Sequence, residues 1–127
     1  MRAYIDSDIL IWHLRGEGKA TSFLRRLSNE RGTDLWTGAL QRAEIVFFLR
    51  ESEEAATLSL LSRFKTEAVT QEIVDSAARF YRKYHSSHGT DVNDAILAAT
   101  AWATGGSIYT LNMKHYPMRE VAVTRGW

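Results

Sequence analysis

Cysteine is missing from this 127-residue chain. Its absence removes disulfides, thiolate metal sites and cysteine nucleophiles together. The formal net charge is only +1, so no surplus of either sign draws the molecule onto nucleic acid or membrane. A polyanion must then be held by a local basic patch or by a bound metal. No apolar run reaches the roughly 18 residues that a membrane-spanning helix needs. The chain meets a carboxylate at Asp6 before any signal-peptide core has formed, so a cytoplasmic protein with no membrane association is expected. Repeats, linkers and low-complexity segments are also lacking. What is present is ordinary: 45% hydrophobic and 24% charged residues. That composition suits a single domain over residues 1–127, burying about two-thirds of its unfolded surface.

Strand-like and helix-like segments alternate. Strands are predicted at 2–6, 33–37, 67–70, 107–110 and 121–124 from β-branched and aromatic residues after turn signals. A helix capped by Ser7 or Asp8 carries Ile9, Leu10, Trp12 and Leu14, and a second carries Phe23, Leu24 and Leu27. Two more are predicted from about Ala39 to Arg50 and from Glu51 to Phe64. Ile73, Ala77, Phe80, Tyr81 and Tyr84 recur at helical spacing. The last helix opens at Asp91 and stops at Gly105-Gly106, a left-handed stop signal. The only proline, Pro117, falls between the last two strands. This alternation predicts a mainly parallel sheet covered on both faces, with a ligand crevice beyond the carboxyl ends of its strands.

Acids are placed to meet in that crevice. Asp6 ends the first strand, Glu44 lies on the helix after the second, and Asp91 and Asp94 open the last helix one turn apart. Asn112 follows the fourth strand. Each has a plain structural reading as well: Asp6 as a turn residue, Glu44 as a solvent-facing helical glutamate, Asp91 and Asp94 as a capping box, Asn112 as a turn. Taken together they offer oxygen donors from separate elements, which is what Mg²⁺ or Mn²⁺ takes in phosphodiester hydrolysis.

Four blocks carry a family likeness: Tyr4-Ile-Asp6-Ser-Asp8-Ile-Leu-Ile, Ala43-Glu44-Ile45, Asp94-Ala-Ile-Leu-Ala-Ala-Thr-Ala101 and Ile108-Tyr-Thr110-Leu-Asn112-Met-Lys-His115-Tyr. In this order they resemble PIN-domain ribonucleases of the VapC toxin type. The resemblance implies a three-layer α/β/α sandwich, commonly a homodimer, that binds Mg²⁺ or Mn²⁺. It implies cleavage of RNA to a 5′-phosphate and a 3′-hydroxyl, restrained by a cognate antitoxin. Asp6, Glu44 and Asp94 become the acidic triad for catalysis and metal binding. Asn112 stands where many relatives carry a fourth acid, and Asp91 is the candidate to supply that charge. Ser7 and Thr110 are expected to line the site with Asn112, and Asp8 to brace the turn. Lys114, His115 and Arg42 are candidate contacts to RNA.

Other signals yield to simpler explanations. Arg15-Gly-Glu-Gly-Lys19 lacks the glycine spacing and the preceding strand of a phosphate-binding loop. His85 and His88 suit a helix C-terminus better than a zinc site. Arg79, Arg82 and Lys83 form either a solvated helix face or a guide for RNA. The apolar excess at Phe47, Phe48, Leu49, Leu58, Leu60 and Leu61 suits an interface with an antitoxin or a second subunit, as well as a core. Two rival functions stand beside the nuclease. Asp6-Ser7-Asp8 imitates the start of an aspartyl-nucleophile phosphatase, and a catalytically weak RNA-binding module would keep the same fold.

Overall fold

The computed structural model describes every residue from Met1 to Trp127. Five strands form one all-parallel sheet: β1 (Arg2–Ile5), β2 (Asp34–Thr37), β3 (Lys65–Thr66), β4 (Ser107–Thr110) and β5 (Val123–Arg125). Their spatial order is β3-β2-β1-β4-β5. The chain builds outward from β1 to one edge and then returns to build the other. The order therefore reverses between β1 and β4, where open parallel sheets bind ligands.

Helices α1 (Ser7–Leu14), α2 (Gly18–Ser28), α3 (Ala39–Val46) and α4 (Glu51–Leu61) precede α5 (Gln71–His88) and α6 (Val92–Thr104). Side chains alternate across a strand, and β1 shows how this divides the core. Ala3 and Ile5 pack with Ile9, Leu10, Phe23, Leu24 and Leu61 on one face. Tyr4 turns the other way, among Phe80, Leu97, Ala98, Ile108 and Tyr116. Two cores separated by the sheet make the expected α/β/α sandwich. Small residues on α6 (Ala95, Ala98, Ala99, Ala101) are all buried, as a helix lying close on a sheet requires.

Several local expectations shift. The third strand is Lys65–Thr66 rather than 67–70. Its register is set by pairing with Trp36 and Thr37. Thr70 instead caps α5, its side chain accepting from the Ile73 N–H at 3.3 Å. The fifth strand starts two residues later and ends one later, at Val123–Arg125, and Val121 is buried in the core instead. Helix α3 ends at Val46 rather than Arg50, and α4 ends at Leu61, so Phe47 and Phe48 lie in an exposed connection. The cap of α1 is Asp6 rather than Ser7 or Asp8. No spacer separates β1 from α1, so one residue serves both: the Asp6 N–H still bonds to β4 at Tyr109 O, while its side chain accepts from Ser7 N–H. Gly105 ends α6 with φ at 70°, the left-handed stop its sequence signalled.

Candidate active site

The β1–α1 junction points a carboxylate out of the sheet at the point where strand order reverses. Asp6 is only 6% exposed. Its Oδ1 accepts from the Ser7 N–H at 2.9 Å. Its Oδ2 accepts from Thr110 Oγ1, at the end of β4, at 2.8 Å. The Tyr116 hydroxyl also donates to Oδ2, at 2.9 Å. Even so, burial and the nearby charge of Asp8 push the Asp6 carboxyl up to about 7. Too little solvent reaches this carboxylate to stabilise its charge.

Asp94 arrives from α6. The capping box forms as the spacing suggested: Asp91 Oδ1 accepts from the Asp94 N–H at 2.8 Å, and Asp94 Oδ2 accepts from the Asp91 N–H at 3.1 Å. The capping role does not use up Asp94. Its Oδ1 lies 3.1 Å from the Tyr116 hydroxyl, and its Oδ2 lies 3.1 Å from His115 Nδ1. Burial raises its carboxyl to about 6, with the charge of Asp91 adding to the shift. Capping and pocket membership are therefore one geometry.

Glu44 comes from α3. Its Oε2 accepts from Ser7 Oγ at 3.2 Å, and its Oε1 accepts from the Asn93 amide, also at 3.2 Å. Burial raises its carboxyl above the ordinary range. Asp8 sits behind the site. Its Oδ2 accepts from the Leu111 N–H at 3.0 Å and its Oδ1 from the Ile9 N–H at 2.7 Å, tying the loop after β4 to α1.

Acids from β1, α3 and α6 are thus linked through Ser7, Asn93 and Tyr116. Their closeness is unequal. No three His, Asp or Glu side chains stand near enough, as placed, to share one metal ion. Asp6 and Asp94 form the close pair, and Glu44 connects through intervening side chains. Asp91 is exposed, its Oδ1 engaged by its own helix. The Asn112 N–H donates to Thr110 Oγ1 at 3.0 Å, and its amide lies 3.2 Å from His115 Nδ1, so it reaches Asp94 only through the histidine. Lys114 is exposed on the 3₁₀ turn Met113–His115 beside the site, and Arg42 is half-buried on α3. Arg79, Arg82 and Lys83 are exposed on α5.

Tyr116, Asn93 and Gln41 were not singled out in the sequence. Gln41 is 1% exposed and donates to the Asn93 carbonyl at 3.2 Å, holding the start of α6 against α3. Tyr116 had a weak signal: it is the last residue of the fourth motif block.

The donor chemistry suits a hard divalent cation. All candidate ligands are oxygens, and a carboxylate has about four lone-pair sites. Three donors engage Asp6 and leave one site, on Oδ1. Tyr116 has one proton, and with it on Asp6 the contacts of Asp94 with the Asp91 N–H and His115 both fall on Oδ2, leaving Oδ1 open. Glu44 keeps two.

Helical layers on both sides of a five-stranded parallel sheet, with buried acids at its reversal point, define an α/β class with an acidic cluster at that point. The chain belongs to the PIN domain family, whose model matches residues 3–120. It is 38% identical over 115 residues to Ribonuclease VapC19 of Mycobacterium tuberculosis, covering 90% of this chain and 91% of that one. It is 33% identical over 117 residues to Ribonuclease VapC10 of the same species, covering 91% and 86%. Among solved structures, VapBC-1 from nontypeable Haemophilus influenzae superposes with a TM-score of 0.80 at 17% identity, covering 99% and 98%. A toxin–antitoxin complex from Klebsiella pneumoniae gives 0.79 at 22% identity, covering 98% of each chain. Identities this low carry the fold alone. No helix of this chain is long and apolar enough to cross a membrane.

Proposed function

We propose that this chain is a metal-dependent endoribonuclease, the toxin half of a toxin–antitoxin pair. The observation that carries the reading is the buried Asp6–Asp94 pair: two carboxylates from different elements, both raised by burial, meeting at one hydroxyl. Two buried acids with one histidine between them are unfavourable as charged groups unless a cation sits with them. The ribonuclease names carried by its relatives supply the substrate class.

A bound Mg²⁺ or Mn²⁺ supplies Lewis-acid activation of water and neutralises charge developing on a phosphodiester. The residues divide the remaining work. Asp6 and Asp94 would hold the ion. Ser7, Thr110 and Tyr116 fix the Asp6 carboxylate by donating to it. Glu44 stands one side chain further out, where its free lone pairs accept from a water and aim it at phosphorus. His115, beside Asp94, is a phosphate contact in this reading, with Lys114 and Arg42 as further candidates. Asp91 adds negative charge at the rim.

An aspartyl-phosphatase reading loses its acid, because Asp8 is held by the backbone of Leu111 and Ile9. The exposed Phe47 and Phe48, 77% and 82% accessible, lie next to a groove lined by Ile11, Leu14, Ile45 and Leu49. This apolar face supports docking of an antitoxin segment, and a second copy of the chain completes the proposed homodimer.

The test is cleavage of a panel of structured RNAs with Mg²⁺, Mn²⁺ or chelator. Products should appear only with metal, and Asp94→Asn should abolish them while leaving the circular-dichroism spectrum unchanged. Full cleavage by the folded Asp94→Asn protein would refute the assignment.

A further inference from the structure

Tyr116 is 4% exposed, its ring packed within the α5–α6 core. The backbone around it is held. Its N–H donates to Met113 O at 3.1 Å, and Thr90 Oγ1 donates to the preceding carbonyl, His115 O, at 2.8 Å. A hydroxyl so anchored cannot follow the carboxylates; they must come to it. It lies 2.9 Å from Asp6 Oδ2 and 3.1 Å from Asp94 Oδ1, joining residues 110 and 22 positions away in sequence. No other side chain hydrogen-bonds to both.

We propose that Tyr116 is a positioning residue whose hydroxyl sets the separation and facing of the Asp6 and Asp94 carboxylates, and thereby their affinity for a divalent cation. The inference rests on the reading above that these two acids hold the ion. The geometry gives it content. Tyr116 and Thr110 together occupy Asp6 Oδ2, which leaves the open site to Oδ1. The hydroxyl also stands 3.1 Å from Asp94 Oδ1, and its single proton serves one of the two carboxylates at a time. Phenylalanine at this position would fill the same core volume but remove the one side-chain hydroxyl within hydrogen-bond distance of both carboxylates. Outer hydrogen bonds of this kind commonly change metal affinity by about ten- to a hundredfold.

The experiment is Mn²⁺ binding to the RNA-free protein, followed by the electron paramagnetic resonance of free Mn²⁺. Tyr116→Phe should fold, as judged by its melt in chelator, and bind Mn²⁺ about tenfold or more weakly than wild type. Equal affinities would overturn the inference while leaving the cation site intact. Failure of the wild-type protein to bind Mn²⁺ would instead overturn the cation reading, and this inference with it. Should Tyr116→Phe not fold, 3-fluorotyrosine incorporated at all five tyrosines decides the matter. The Tyr116 resonance, assigned by Tyr→Phe changes at the other positions, should move on Mg²⁺ addition. A resonance that stays fixed while Mg²⁺ binds would reject the role.

Discussion

The Asn93 amide donates to Glu44 Oε1 at 3.2 Å, joining α6 to α3 across 49 positions of sequence. Behind this bond, Gln41 donates to the Asn93 backbone carbonyl, and Gln41 in turn lies against Gly38. The orientation of Glu44 therefore depends on a glycine two steps removed from it. A Cβ at Gly38 would stand 2.0 Å from Gln41 Oε1 and 3.0 Å from Leu97 Cδ1.

Gly38→Ala should accordingly force Gln41 away from Asn93. The expected cost is about 1–3 kcal/mol, typical of overpacking. Cleavage should fall as Glu44 loses its fixed partner. Urea unfolding and RNA cleavage measured on the same preparation check both effects. Wild-type stability would mean that the close approach at Gly38 has been misread.

Ser7 reaches two acids by different atoms: its N–H meets Asp6 Oδ1 and its hydroxyl meets Glu44 Oε2. Ser7→Ala deletes only the second bond. Stability should change by about 1 kcal/mol, while cleavage drops about tenfold or more. Steady-state rates beside a thermal melt separate these effects. Unchanged cleavage would remove Ser7 from the site.

Stability in chelator should depend on pH in the direction opposite to that of a salt-bridged acid. The Asp6 carboxyl stands near 7 in the folded chain and near 4 when unfolded. The folded state then binds more protons than the unfolded state across that interval. The contribution of Asp6 is full below about pH 4 and is lost as pH rises through about 7. Three pH units correspond to something on the order of 4 kcal/mol. Asp6→Asn should flatten this decline, so the difference in Tm between variant and wild type should grow from pH 5 to pH 8. A constant difference would contradict the raised carboxyl.

Divalent cation should reverse that loss. At a concentration about a hundred times its Kd, a ligand stabilises by about 2.7 kcal/mol, worth several degrees in Tm. Protons compete for the same oxygens, so the Mn²⁺-induced rise should be larger at pH 8 than at pH 6. Differential scanning fluorimetry with buffered Mn²⁺ reads this directly. Asp94→Asn should remove most of the rise. An equal rise at both pH values would point to binding elsewhere.

Much of the frame was legible because it is local. The alternation of strands and helices gave the parallel sheet, and Thr90-Asp91 through Asp94 spelled a capping box that does form. The stop at Gly105 was equally plain. The third strand was not, because two exposed residues carry little pattern of their own and take their place only by pairing with β2. Thr70, read as part of a strand, is better placed as a cap, since its hydroxyl satisfies an α5 N–H that would otherwise lack a partner. Within the site, the resemblance of the motif blocks pointed to Asp6, Glu44 and Asp94 but said nothing of their unequal closeness.

By itself the sequence determined where apolar periodicity, caps and turn residues lie, and hence which elements form and which ends carry acid. These are choices made within a few residues of chain. Only the tertiary structure decided that Tyr116 meets both Asp6 and Asp94, and that Asn93 and Ser7 hold Glu44 apart from that pair. A hydrogen bond between residues 110 positions apart depends on strand register and helix packing to within a fraction of an ångström, and no local pattern encodes that precision.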